Sequence, residues 1–257
     1  MTIDVVVLVS CGRHPVSGGP RRAMLDARAV ELALHLGDVK VELVHAGDPV
    51  AAGLADYFGM GVDDMTVLDV APGDDIVPPL VAHLQHRPDA LVLAGARAET
   101  GEASGMLPYL LAEALGRAIV PGAAALTIDE GRVDIAQALA GGRRRAIQAP
   151  HVSIVTVSPA APDPRPVAFA KTRRGHVTNA AYPTGPYKIA GAWQPARAKP
   201  RRLKIVGRGS AAERLKAATQ TVQGRAQVLQ HPDPDTAAEA IWSYLVAEGL
   251  VREETGG

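Results

Sequence analysis

The chain has 257 residues, 47% hydrophobic and 21% charged, enough for one large soluble domain or one domain with an appendage. Its 27 basic and 27 acidic residues cancel, so no global field steers it toward nucleic acid or a membrane. The single cysteine, Cys11, excludes an internal disulfide and points to a reducing compartment.

Aromatic residues make up only 4%, so the core must be built from Ala, Val and Leu. Met1 leads directly into Ile3–Val9, too short and unflanked for a signal peptide. No apolar stretch approaches the roughly 20 residues that span a bilayer. A cytoplasmic location is expected.

Val5–Val9 reads as a strand buried on both faces. Cys11–Pro20 reads as a Gly- and Pro-rich loop, and Asp26–Leu36 as a helix closed by Gly37. Lys40–Ala46 is a second strand, Val50–Phe58 a helix, and Met65–Val70 a third strand. Ile76–Gln85 is a helix, Ala90–Ala94 a fourth strand, and Ala103–Leu115 a helix closed by Gly116. This rhythm predicts an α/β fold: a mostly parallel sheet with helices on both faces. From Ala124 the pattern changes to short strands, Ala124–Ile128, Arg132–Leu139, Arg143–Gln148 and His151–Val157. Gly131 and Gly141-Gly142 separate them, which predicts an antiparallel hairpin extension at one sheet edge.

After Ser158 the pattern collapses, so residues 1–158 are expected to form the α/β domain and 159–257 a docking arm. Residues 165–204 hold ten Lys or Arg and no Asp or Glu. Glu213–Ala218 reads as a short helix. Pro234–Ala247 reads as an amphipathic helix with Asp235 as its cap and Ala238, Ile241, Trp242 and Leu245 on one face.

Parallel sheets bind ligands beyond the carboxyl ends of their strands. Four loops qualify: 10–19, 46–49, 69–75 and, above all, 95–105. The last is small and polar, and leads into a helix with Pro108 in its first turn. Small residues let backbone N–H groups approach a phosphate, whose charge the helix dipole favours; the alternative is a flexible strand-to-helix connection. Ser104 directly precedes Gly105, the wrong spacing for a nucleophile elbow. No Walker lysine and no G-x-G-x-x-G follow the glycine loops. His83 and His86 share a helix face without a carboxylate or cysteine cluster, so they read as solvated rather than metal-bound. Cys11 reads as structural rather than redox-active. With no acid/base pair or triad, the chain reads as a binding or carrier protein rather than an enzyme. The basic stretch, with Phe169, Tyr182, Tyr187 and Trp193 interspersed, permits nucleic-acid contact. Residues 1–80, however, hold twelve acidic and five basic side chains, so docking on a protein partner is the simpler reading.

Several segments in order resemble one family. Asp26-Ala27-Arg28-Ala29-Val30-Glu31-Leu32-Ala33-Leu34-His35-Leu36 resembles its first helix, Asn-Pro-x-Asp-x-x-Ala-(Leu/Val)-Glu-x-Ala-x-x-Leu. Phe58-Gly59-Met60-Gly61-Val62-Asp63 resembles its Ala-Met-Gly-Ala-Asp turn. Leu91–Ala98 resembles an apolar strand followed by Gly-x-Gln-Ala, and Thr100–Pro108 the spacing of Asp-Gly-Asp-x-x-Gln-x-Gly-Pro. Ala140-Gly141-Gly142 and Ala149–Val157 resemble its Gly-Gly hairpin and following strand, and Asp235–Val251 its C-terminal helix. The family is that of electron transfer flavoprotein beta subunits, and the likeness spans nearly the whole chain.

That resemblance implies a heterodimer with an alpha subunit holding FAD, electron transfer from a dehydrogenase to an acceptor, and a structural AMP in the beta subunit. By position, the nucleotide pocket comprises Leu8 or Val9, Asp26, Ala46 and Thr100, Gly101, Glu102, Ala103, Ser104, Gly105, Met106 and Leu107. Leu25 falls where the family places a residue near the flavin. Ala23-Met24 replace the family's Asn-Pro, Thr100 its first acidic residue, and Gly105 its Gln, which leaves nucleotide contacts to the backbone. Pro164–Lys171 falls at the family's partner-recognition loop and departs from its pattern. The rival reading is a nucleotide-binding α/β module similar to universal stress proteins.

Overall fold

The computed structural model describes residues 3–129, 131–187, 195, 210, 212, 215, 229–247 and 251. The chain divides into two compact units, Met1–Ala192 and Trp193–Gly257. The first unit opens with β1 (Ile3–Leu8), β2 (Cys11–Arg13), β3 (Pro20–Arg22), α1 (Met24–Leu34) and β4 (Val39–Gly47). It continues through α2 (Ala55–Phe58), β5 (Asp64–Asp69), α3 (Val77–Gln85), β6 (Leu91–Gly95) and α4 (Leu107–Leu115). β7 (Ile119–Asp129), β8 (Arg132–Ala138), β9 (Arg144–Pro150), β10 (Ile154–Val157), α5 (Phe169–Thr172) and β11 (His176–Ala180) complete it. The second unit contains α6 (Pro234–Ala247).

Among the described residues, nine strands form one sheet in the order β11-β5-β4-β1-β6-β10-β7-β8-β9. Pairing is parallel from β11 to β7 and antiparallel for β7–β8 and β8–β9. The expected architecture is thus present, and its physical basis is strand alternation. Val5 and Val7 face one side of β1 and pack with Ala27, Ala29, Val30 and Ala33 of α1 and with Tyr57 and Phe58. Val6 and Leu8 face the other side, with Leu80 and Leu84 of α3 and Leu111 and Ala112 of α4. A strand apolar at every position suits a sheet covered on both faces. The hairpin tip turns at Gly141 and Gly142, whose φ values of 70° and 74° only glycine adopts cheaply.

Four sequence expectations need correction. The helix expected over Val50–Phe58 is confined to Ala55–Phe58. Gly53 sits at φ 107°, where a Cβ would lie 2.7 Å from the Arg21 carbonyl oxygen, so the helix cannot extend through it. The helix expected from Ala103 begins at Leu107, because Ala103 and Gly105 have left-handed φ values of 49° and 76°. The expected loop Cys11–Pro20 instead contributes β2 (Cys11–Arg13) and the first residue of β3 to a small antiparallel hairpin, with residues 14–19 as its turn. Finally, α6 is capped by Asp233 rather than Asp235: Asp233 Oδ1 accepts from Asp235 N–H at 3.1 Å and Thr236 N–H at 3.0 Å, leaving Pro234 at the first helical position.

The segment after Ser158 does not leave the sheet at once. Arg28 donates to the Ala161 carbonyl and to Asp163. Buried Glu31 takes a bidentate pair from Arg165, Nε to Oε2 at 2.9 Å and Nη2 to Oε1 at 3.1 Å. Buried Arg22 donates to the Arg165 carbonyl at 2.8 Å. The chain then adds β11 in parallel beside β5, from His176 opposite Asp64 to Ala180 opposite Leu68. The rest of the expected basic arm, 188–204, lies outside the described residues apart from Pro195, and Glu213–Ala218 lies outside them apart from Leu215.

Candidate nucleotide crevice

The chain runs from β1 to β4 and β5 on one side, then returns to β6 on the other. The topological switch point therefore lies between the carboxyl ends of β1 and β6, where open α/β sheets form a ligand crevice. The buried Asp26 side chain, in the first turn of α1, spans this point. Its Oδ2 accepts from Ser10 N–H at 2.8 Å and Ser10 Oγ–H at 2.5 Å, and its Oδ1 from Gly95 N–H at 3.1 Å. Gly95 is required there, since a Cβ would fall within 3.0 Å of both Asp26 Oδ1 and Leu25 Cβ. Burial drives the Asp26 carboxyl up to about 7 against the lowering effect of its Ser10 and Gly95 hydrogen bonds, with Glu99 adding a like charge.

A clasp closes one side. Glu99, after β6, accepts from Met24 N–H at 2.7 Å and pairs with Arg21 Nη2 at 3.1 Å. Thr100 Oγ donates to the Cys11 carbonyl at 2.9 Å. These contacts tie the β2–β3 hairpin to the loop after β6. Behind them, the buried Tyr57 hydroxyl donates to the Ser10 carbonyl at 2.8 Å and accepts from Ala23 N–H at 3.0 Å. On the β4 side, buried His45 donates through Nδ1 to the Val9 carbonyl at 2.9 Å, and burial holds its pKa below the ordinary range.

The expected pocket residues fall into three groups. Val9 and Ala46 lie at the ends of the neighbouring strands β1 and β4, joined by a Val9 N–H to Val44 carbonyl bond of 2.9 Å. Leu25 and Asp26 cover Gly95. Thr100, Gly101, Glu102, Ser104 and Met106 are exposed along the loop, with Ala103 and Gly105 half-buried. None of the N–H groups from Gly101 to Gly105 donates into another element among the described residues, and Ser104 Oγ accepts from Met106 N–H at 3.2 Å. Leu8 and Leu107 instead pack into the α3–α4 core, so only their backbones belong to the rim. Sequence reasoning covered Ser10 and Glu99 only as members of the candidate loops 10–19 and 95–105, without a role, and missed His45, Tyr57 and the Arg21–Glu99 pairing. His45 and Ser10 were findable as polar residues at the ends of apolar strands; Arg21 and Glu99 carry no sequence signal for their pairing.

Other candidates resolve as structural. Cys11 has its thiol raised to about 11 by burial and by Asp26, Asp56 and Asp48, which removes it as a thiolate nucleophile. His83, expected to be solvated, is buried, because Glu42 and Tyr182 enclose it. Its Nε2 lies 3.3 Å from Glu42 Oε1, at ion-pair distance without hydrogen-bond alignment. Among the described residues no group of three or more His, Cys, Asp or Glu could hold a metal ion. No described helix is long and apolar enough to cross a membrane.

No protein-family model matches the chain. A curated relative from Chromohalobacter salexigens, named electron transfer flavoprotein subunit beta, is 43% identical over 257 residues, covering 97% of this chain and 96% of the relative. The chain belongs to the electron transfer flavoprotein beta-subunit family. The point between the carboxyl ends of β1 and β6, spanned by Asp26 and flanked by Ser10 and the loop 95–105, is the candidate site of this family member.

Proposed function

We propose that the chain is the beta half of a heterodimeric electron transfer flavoprotein that carries electrons from a dehydrogenase to an acceptor in the cytoplasm. FAD is held mainly by the alpha subunit, and this chain contributes Leu25 beside it. The observation that carries this reading is the end-to-end 43% identity with an electron transfer flavoprotein subunit beta. When bound, the flavin supplies the redox chemistry; this chain's residues shape and dock. No side chain acts as a catalyst in this reading.

An AMP fills the crevice. The fit rests on the loop: Gly101 has φ 72° with open space for 4 Å around the place a Cβ would take, and the N–H groups around it are uncommitted to the sheet unit. Those backbone donors would hold the phosphate, which suits a loop that lacks acidic and amide side chains at positions 100 and 105. The surface downstream of Ser158 docks on the alpha subunit or the dehydrogenase.

The test is mass spectrometry of the denatured complex with its alpha subunit. Adenine nucleotide and FAD together support the reading. FAD without adenine nucleotide would reject the AMP assignment and leave the carrier function standing.

A further inference from the structure

Asp26 holds both sides of the crevice, and one of its partners can reverse its role. The N–H groups of Ser10 and Gly95 only donate, whereas the Ser10 hydroxyl either donates or accepts. At 2.5 Å, the Ser10 Oγ to Asp26 Oδ2 distance suits an O–H···O bond in either direction. With Asp26 ionised, the hydroxyl hydrogen is held by Oδ2. With Asp26 protonated, Oδ2–H donates to Ser10 Oγ, and the hydroxyl hydrogen must find a new acceptor. Among the described residues, Ser10 Oγ has no second hydrogen-bond partner, and Ser10 is only half-buried at the carboxyl end of β1.

We propose that Asp26 and Ser10 form a proton-linked donor switch, in which a proton taken from solvent by Asp26 turns the Ser10 hydroxyl hydrogen toward an acceptor oxygen of a nucleotide in the crevice. The inference rests on the nucleotide reading above. It adds Ser10 to the ligand-facing residues and makes Asp26 a positioning residue. The titratable groups facing Asp26 are Glu99 from the loop after β6, Cys11 on β2 and Tyr57 on α2. Cys11, at about 11, and Tyr57, well above 10, stay neutral near pH 7. Glu99 is engaged by Arg21. The buried carboxyl that changes charge near neutrality is Asp26, at about 7.

Two measurements on the full chain test this. Carbon NMR of aspartate-labelled protein follows the Asp26 carboxyl, assigned by its loss in Asp26→Asn. Its midpoint lies near 7 in the wild type and higher in Ser10→Ala, which lacks the hydroxyl that stabilises the ionised form. Calorimetry then gives AMP affinity from pH 5.5 to 8.5 for the wild type, Asp26→Asn and Ser10→Ala. The second phosphate proton of AMP titrates equally in all three, so the ratio to wild type is the readout. Wild-type affinity relative to Ser10→Ala rises about tenfold from pH 8 to pH 6, the worth of one hydrogen bond to a charged group. A ratio independent of pH, or an Asp26 midpoint below 5, overturns the switch while leaving the nucleotide site intact. AMP binding to none of the proteins at any pH overturns the nucleotide reading and the switch with it. Ser10→Ala carries the comparison even where Asp26→Asn fails to fold.

Discussion

At the scale of single residues, the crevice is stabilised by buried polar groups with fixed partners, and each makes a measurable claim. Tyr57→Phe removes the hydroxyl that bridges the Ser10 carbonyl and the Ala23 N–H, which keep their own 3.2 Å bond to each other, so chemical denaturation should show a loss of about 1 kcal/mol. Arg165→Ala strands the buried Glu31 carboxylate; because the Arg165 side chain is 40% exposed, the loss should be near 2 kcal/mol rather than the larger cost of a fully buried pair. Burial raises the Glu31 pKa, but the Arg165 hydrogen bonds and charge outweigh it and hold it below its ordinary 4.5. Its contribution is therefore present above pH 4.5 and lost as pH falls below that value. Asp26 works in the opposite sense. Its folded pKa lies above the ordinary 3.8, so the stability it contributes declines as pH rises from 3.8 to about 7, and Asp26→Asn should remove that slope from a denaturation series. Among the loop glycines, Gly105→Ala meets the Ala96 carbonyl oxygen at 2.8 Å and should destabilise the apo chain. Gly101→Val meets only open space, so it should cost mainly the strain of φ 72°, about 1–2 kcal/mol, while expelling AMP by blocking backbone approach. Glu102→Gln, at an exposed side chain, should retain the nucleotide.

At the scale of elements, the strands were legible because their apolar runs and glycine punctuation come directly from burial on two faces. Val5–Leu8, Leu91–Ala94 and the Gly141-Gly142 turn are cases in point. Helix starts were less legible. The start of α4 depends on left-handed backbone at Ala103 and Gly105, which composition alone does not reveal. β11 escaped sequence reading entirely: His176–Ala180 is nearly all exposed, so its pairing with β5 leaves no apolar periodicity. The pocket positions came from the resemblance, whereas the Asp26 bridge and the Glu99 clasp depend on contacts between residues 69 and 78 positions apart. The α5 region carries Lys171, Arg173 and Arg174 beside exposed Phe169, on a short helix packed on α2. Reversing the three cations to Glu should slow assembly with the alpha subunit or reduction by the dehydrogenase, most strongly at low salt, since exposed charges act through steering. Nucleotide content of the assembled complex should not change. Association and reduction rates across a salt series check this, and rates insensitive to salt and to charge reversal would remove the docking role.

At the scale of the whole molecule, the chain joins a mostly parallel sheet with a candidate site at its switch point, a hairpin extension, and a basic segment that first closes over α1 and then adds an edge strand. Family membership ties these parts to a two-subunit carrier and displaces the universal-stress-protein reading, which explains the early strands but not the full-length identity. In α6 the side chains of Ile241, Trp242 and Tyr244 are exposed, an arrangement consistent with a chain that completes its packing on a partner. The most direct test is expression of this chain alone and together with its alpha subunit, followed by visible absorbance, flavin-to-protein ratio and native mass. A carrier of this kind should give a colourless chain alone and a yellow heterodimer with stoichiometric FAD when the two are coexpressed. A stable yellow monomer of this chain with stoichiometric flavin, or a colourless coexpressed pair that never associates, would contradict that role.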